Sequence, residues 1–205
     1  MNKTGIGILG GSFNPIHIGH LLLAQNAIDS FNLEKVLLMP CHIQPHKDPA
    51  MLASSEHRAA MVESAIVDNL QLEMLDIEIV RGGTSYAIDS VRSISKMYPE
   101  AELFFIIGAD TLPELHLWHN IYELLELCQF ATLSRPGQNI EDFSPEKLNL
   151  KAPWPQKLLE TVAQGRLIEI SSSDIRHRVA EGMSIRYLVP AAVEMYIAEH
   201  NLYQN

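Results

Sequence analysis

Thr4-Gly5-Ile6-Gly7-Ile8-Leu9-Gly10-Gly11-Ser12-Phe13-Asn14-Pro15-Ile16-His17-Ile18-Gly19-His20 is the stretch that decides the fold. It opens as a short apolar run that stops at Gly10-Gly11, the pattern of a buried strand followed by a tight turn. From Gly19 to Phe31 the apolar residues Leu22, Leu23, Ala27, Ile28 and Phe31 recur at helical spacing, which leaves Gln25, Asn26 and Asp29 for the opposite side. The chain therefore begins strand, loop, helix.

The alternation continues downstream. Val36–Met39 reads as a strand, 40–50 as a Pro-rich loop, Glu56–Val67 as a helix and Leu72–Val80 as another strand. Tyr86–Met97 reads as a helix, Leu103–Ile107 and Phe130–Leu133 as strands, and 134–155 as an irregular insertion within one domain spanning 1–205. A helix near Gln156–Ala163, a short strand at Leu167–Ile170 and helices at Asp174–Ala180 and Ala191–His200 complete the chain. Strands alternating with helices predict an α/β fold: a Rossmann-like, doubly wound, mostly parallel sheet with helices on both faces, in a single domain. Such sheets bind ligands beyond the carboxyl ends of their strands, where strand order reverses, and the polar clusters of this chain follow predicted strands.

Gly5-Ile6-Gly7-Ile8-Leu9-Gly10 also matches GxGxxG, with Asp29 about 20 residues on, as in dinucleotide-binding units. The match is rejected. The first glycine of that fingerprint follows a strand and opens a turn, whereas Gly5 and Gly7 lie inside the apolar strand itself.

Composition narrows the function classes. The 205 residues suit one substantial core, and 47% hydrophobic with 20% charged residues is the profile of a folded globular chain. A formal net charge of -10 repels polyanions, which argues against nucleic-acid or anionic-membrane partners. Cys41 and Cys128 lie far apart without metal-site spacing, and no secretory leader or membrane-spanning run is present, so the expected location is the cytoplasm.

The loop after the first strand carries the strongest chemical signal. Gly10 and Gly11 allow a phosphate close to backbone N–H groups. His17 and His20, three apart at a helix start, can share one face and point toward anionic oxygen, and Gly19 leaves room for a base or sugar. A helix-capping role or a zinc pair completed by His42 and His46 is the competing reading of the histidines. A second cluster, Ser171-Ser172-Ser173-Asp174-Ile175-Arg176, puts hydroxyls and a cation at another helix start, which also suits an anion; its plainer reading is an N-cap beside a surface arginine.

The first segment resembles the (G/S)xFxPxHxGH signature of the nucleotidyltransferase superfamily that transfers AMP or CMP to phosphorylated small molecules, and Ile170–Arg176 resembles its ISSTxIR element, with Ser173 where Thr is more usual. Pro45-His46-Lys47 is similar to the PxHK element of the nicotinate mononucleotide adenylyltransferase family. Arg81–Tyr86 resembles that family's RxGxSYT segment, Gly108-Ala109-Asp110 its GxD turn, and Leu117-Trp118-His119 its tryptophan-bearing helix. Ala87 and Ile121 depart from the family pattern, where Thr and an aromatic are usual.

The resemblance implies an ATP-dependent enzyme that joins AMP to nicotinate mononucleotide, with magnesium carried on the ATP phosphates. His17, His20, Lys47 and Arg176 would act on the phosphates. Gly10, Gly11, Ser12, Phe13, Gly19, Gly108, Asp110, Ser171, Ser172 and Ser173 would line the ATP site. His46, Thr84, Ser85, Tyr86, Trp118 and His119 would hold the acceptor, with Trp118 stacked on the pyridine ring. Other acceptors, nicotinamide mononucleotide or phosphopantetheine, are the nearest rival readings; a non-catalytic ATP sensor is the rival from another class. The sequence leaves the oligomeric state open.

Overall fold

The computed structural model describes residues 4–44, 52–134, 143–166 and 168–204. Its strands are β1 (Gly5–Gly11), β2 (Lys35–Pro40), β3 (Leu72–Met74), β4 (Glu102–Gly108), β5 (Gln129–Ser134) and β6 (Val162–Gln164). They form one six-stranded sheet in the order β3-β2-β1-β4-β5-β6. The β1/β4, β4/β5 and β5/β6 ladders are parallel. The sheet is doubly wound, as the alternation predicts, and its order reverses between β1 and β4.

The α-helices are α1 (Ile18–Phe31), α2 (Ser55–Ile66), α3 (Ile77–Arg81), α4 (Ala87–Met97), α5 (Ile121–Leu127), α6 (Trp154–Glu160), α7 (Ser172–Ala180) and α8 (Ala191–Glu199). Start signals are where physical chemistry puts them. The Ser54 hydroxyl accepts from the His57 N–H at the head of α2, and that of Ser171 accepts from the Asp174 N–H at the head of α7.

Two compact units are woven from alternating segments. One comprises residues up to Leu9, Leu23–Val36 and Tyr86–Leu167; the other comprises Gly10–Leu22, Leu37–Ser85 and Ile168 onward. In the first, β4 is buried along Leu103–Ile107, as a central parallel strand must be. Gly7 makes that packing possible: a Cβ there would lie 2.8–2.9 Å from Val36 Cγ2, Ile106 Cδ1 and Leu33 Cδ1. In the second, the Leu75 N–H donates to the Leu38 carbonyl at 2.9 Å and the Cys41 N–H donates to the Gly11 carbonyl at 2.9 Å.

Several local expectations are corrected. Gly10 and Gly11 do not form the turn; β1 runs through both, and the chain turns at Phe13, whose φ is 44°. The expected strand Leu72–Val80 is a strand only to Met74, and Ile77–Arg81 is helical. The Ile-Glu-Ile alternation there fits a short helix stopped by Gly82 at φ 68° as well as it fits a strand. The last strand lies at Val162–Gln164, in register with Thr132–Ser134, rather than at Leu167–Ile170, where 168–170 have no regular structure and Leu167 lies outside the described residues. Within 134–155, a 3-10 turn forms at Pro145–Leu148 and α6 begins at Trp154, while 135–142 lie outside the described residues.

Candidate active site

The second unit holds the loop that leaves β1. Phe13 is 1% exposed, and its ring meets the His20 ring edge-on with centroids 5.0 Å apart. The left-handed backbone at Phe13 is costly for a bulky residue and is held by its surroundings. The buried Phe13 ring thereby supports the His20 ring.

His17 and His20 stack, with centroids 3.7 Å apart and planes 25° from parallel. The backbone N–H of His17 donates to His20 Nδ1 at 3.3 Å. Because an N–H can only donate, Nδ1 of the neutral ring must be the bare nitrogen, and the ring proton sits on Nε2. His17 is buried, and its Nδ1 has no hydrogen-bond partner. Burial pushes His17 down from the ordinary 6.5 to about 4. It pushes His20 well below 6.5 too, with the neighbouring His17 acting in the same direction. Both rings are therefore neutral near pH 7. Gly19 is what lets the pair pack: a Cβ there would stand 3.0 Å from His17 Cε1 and Nδ1 and 3.2 Å from Ile168 Cγ2.

The downstream serine/arginine cluster meets this same loop. The Ser172 hydroxyl donates to the Pro15 carbonyl at 2.9 Å, and Arg176 donates to the Asn14 carbonyl at 2.8 Å and to the Ser173 hydroxyl at 3.2 Å. Ser171 caps α7, so its hydroxyl already serves the backbone. Residues 157 and 162 positions apart in sequence are thus in direct contact.

A third strip lies in the same unit. The His42 N–H donates to the Ser85 hydroxyl at 3.0 Å, the Ser85 N–H donates to the Ile43 carbonyl at 2.9 Å, and Ile43 bridges Thr84. His42 Nδ1 lies 3.1 Å from the Gly83 carbonyl, so its ring is engaged with this strip. His46 and Lys47 lie outside the described residues.

The remaining predicted residues belong to the first unit. Asp110 lies over Gly108, where any Cβ would collide with its Oδ1. Trp118 is not on an α-helix: it ends the 3-10 stretch Ala109–Leu117, which contains Pro113, and Asn120 at φ 51° then opens α5. Its half-buried ring meets Phe105 edge-on at 5.5 Å and Phe130 at 6.3 Å. Tyr86 and His119 face each other with ring centroids 4.5 Å apart.

Three structural supports were not anticipated. Asn14 is 1% exposed, and its Oδ1 accepts from the Ala53 N–H at 3.0 Å and from the Tyr203 hydroxyl at 2.9 Å. Arg58, also 1% exposed, donates to backbone carbonyls near the exits of β1 and β2. A sequence signal for Arg58 existed: it shares the apolar stripe of α2 with Met61, Val62 and Ala65, at helical spacing. Tyr203 carried no comparable signal.

Residues 8–178 match the family described as cytidylyltransferase-like. A protein from Desulfitobacterium hafniense named probable nicotinate-nucleotide adenylyltransferase is 42% identical over 97% of this chain and 95% of its own length. One from Opitutus terrae with the same name is 42% identical over 97% of each. Among solved structures, the fold superposes on Plasmodium falciparum nicotinic acid mononucleotide adenylyltransferase complexed with NaAD at a TM-score of 0.75, with 18% identity and 98% of both chains covered. The identity, carried over nearly the full length of both relatives, means that the chain belongs to the nicotinate-nucleotide adenylyltransferase family.

Proposed function

We propose that this chain transfers AMP from ATP to nicotinate mononucleotide, releasing pyrophosphate and forming nicotinate adenine dinucleotide. The observation that carries the reading is the meeting of the His17/His20 pair with the Ser172/Arg176 cluster on one loop. Two anion-seeking elements from opposite ends of the chain converge there, as a triphosphate requires.

The acceptor's phosphate oxygen attacks the α-phosphorus in line, and the bond from that phosphorus to the bridging oxygen of the leaving pyrophosphate breaks. A phosphomonoester has its second pKa near about 6, so the nucleophile is already anionic at neutral pH and no general base is needed. The protein's work is alignment and stabilisation of charge on the phosphoryl oxygens. His20 supplies the Nε2–H as a neutral donor aimed by the His17 N–H. Arg176, Ser172 and Ser173 serve the phosphate side with the backbone of Gly10–Phe13, and Lys47 joins them. Thr84 and Ser85, in the same unit, serve the acceptor.

Magnesium fits this set as an ion carried on ATP. Among the described residues no cluster of three His, Cys, Asp or Glu side chains could hold it, and the loop offers ring nitrogens and hydroxyls rather than carboxylate oxygens. When bound, it neutralises phosphate charge. No helix among the described residues is long and apolar enough to cross a membrane.

The test is pyrophosphate release from ATP with nicotinate mononucleotide, compared with nicotinamide mononucleotide and phosphopantetheine. Clear preference for the first supports the reading. Preference for either other acceptor reassigns the substrate, and no release with any of them defeats adenylyl transfer.

A further inference from the structure

Burying a guanidinium is expensive unless its donors are satisfied, and an apolar residue of similar size often stabilises a core as well or better. Arg58 is 1% exposed, and among the described residues no carboxylate pairs with it. Its partners are four backbone carbonyls: Nε donates to Ala53 at 3.0 Å, one terminal nitrogen to Ser12 at 2.8 Å and Cys41 at 2.6 Å, and the other to His42 at 3.0 Å. A methionine could fill the space. Only a planar fork can satisfy carbonyls in these directions at once.

The carbonyls belong to different functional segments. Ser12 lies in the loop carrying the histidine pair, whereas Cys41 and His42 leave β2. From His42 the contacts continue to Ser85 through the His42 N–H, and from Ser85 back to Ile43. A continuous hydrogen-bonded path thus runs from the triphosphate loop through Arg58 to the 84–85 strip.

We propose that Arg58 is a positioning residue that sets the separation between the triphosphate loop and the acceptor strip, an inference that rests on the adenylyl-transfer reading above. It touches neither substrate. In-line transfer between two bound anions depends on their mutual placement, and a shift of about 1 Å can cost roughly 10²-fold in rate. Loss of the fork leaves the Cys41 N–H bond to the Gly11 carbonyl in place but frees the Ser12 and His42 carbonyls beyond it to shift against each other. The expected signature is a fall in kcat with each substrate's KM preserved.

The experiment is steady-state pyrophosphate release by wild type and Arg58→Lys, with active protein counted by calorimetric ATP stoichiometry. Lysine keeps the charge and loses the fork. The expected result is a kcat at least about 30-fold lower per ATP-binding site, with KM for ATP and for nicotinate mononucleotide each within about threefold of wild type. A kcat near wild type per binding site overturns the proposal, and so does a tenfold rise in KM for ATP with kcat intact. Should Arg58→Lys fail to fold, Arg58→Ala is assayed with and without millimolar guanidinium; restoration of kcat by guanidinium and not by equal sodium supports the fork, and its absence overturns it. Wild type that releases no pyrophosphate defeats the adenylyl-transfer reading, and the proposal with it; an active wild type with an unaffected variant defeats the proposal alone.

Discussion

The backbone N–H of His17 donates to Nδ1 of His20 at 3.3 Å while the two rings stack 3.7 Å apart. One short segment therefore fixes both the tautomer and the orientation of His20. This makes the ring a neutral donor through Nε2, and a glutamine amide can imitate such a donor where alanine cannot. His20→Ala is expected to lower kcat by roughly 10² to 10³, the usual loss for one preorganised donor, with the fold intact. His20→Gln should retain more activity than His20→Ala. Equal rates for the two variants would refute the neutral-donor role, and near-wild-type rates in both would remove His20 from the transition state.

His17 gives the site a pH dependence with a definite sign. Its folded pKa is about 4 against an ordinary 6.5, so between those values the unfolded chain holds a proton that the folded chain lacks. The stability linked to this group is complete above pH 6.5 and is lost as pH falls through 4, a change on the order of 3 kcal/mol. His20 shifts in the same direction and steepens the loss. In the proposed site a bound triphosphate would reverse the preference by favouring the charged His17 ring. Calorimetry of ATP binding near pH 6, in buffers of different ionisation enthalpy, should therefore show net proton uptake. His17→Asn should remove most of it, and unchanged uptake in that variant would assign the proton elsewhere.

Gly19→Ala separates packing from propensity. Alanine normally stabilises a helix relative to glycine by roughly 0.5–1 kcal/mol. Here the new methyl would stand 3.0 Å from the His17 ring and 3.2 Å from Ile168, so the histidine must shift. The expected outcome is a kcat reduced at least about tenfold, through displacement of an aligned group, with little change in melting temperature. Retained activity would mean that the His17 ring has freedom the packing denies it.

The legible part of this chain was its periodicity. β1, α1, β2 and α2 are readable from apolar runs and helical spacing, and the alternation of strands with helices gives the parallel, doubly wound class, while the strand order itself comes from the structure. Segments whose pattern serves two structures mislead: Ile77–Val80 alternates like a strand but forms a helix, and the final strand lies at Val162–Gln164, where Val-Ala-Gln is too short to carry a strand signal. The motif histidines and the serine/arginine cluster were visible as residues, but their contact was not, since only the tertiary fold brings Arg176 to Asn14. Arg58 was visible only as a charge on an apolar stripe, and the carbonyls that explain it are scattered from Ser12 to Ala53.

Arg176 has two duties that substitutions can separate. Its guanidinium holds the Asn14 carbonyl and the Ser173 hydroxyl, and the proposed function gives it a phosphate contact as well. Arg176→Ala is expected chiefly to raise KM for ATP, by roughly tenfold or more, as loss of a charge-assisted contact does. Arg176→Lys should recover part of that affinity through its charge alone. An unchanged KM in Arg176→Ala would leave the residue a purely structural clamp on Asn14.

The last support of the loop comes from the far end of the chain. Tyr203 donates to Asn14 Oδ1 at 2.9 Å, and burial pushes its hydroxyl pKa up, so the donor stays protonated throughout the working range. Tyr203→Phe removes that one hydrogen bond while Asn14 Oδ1 still accepts from the Ala53 N–H. The stability cost should be about 0.5–1.5 kcal/mol. For a chain of this length each kcal/mol is a melting-point shift of about 2–4 °C. Because Asn14 also carries the Arg176 contact, the variant should raise KM for ATP more than it lowers kcat. Thermal unfolding beside steady-state kinetics measures both. A normal KM for ATP with the stability loss present would make Tyr203 a brace of the C-terminal segment only, whereas an unchanged melting temperature would mean that the hydrogen bond to Asn14 contributes nothing in solution.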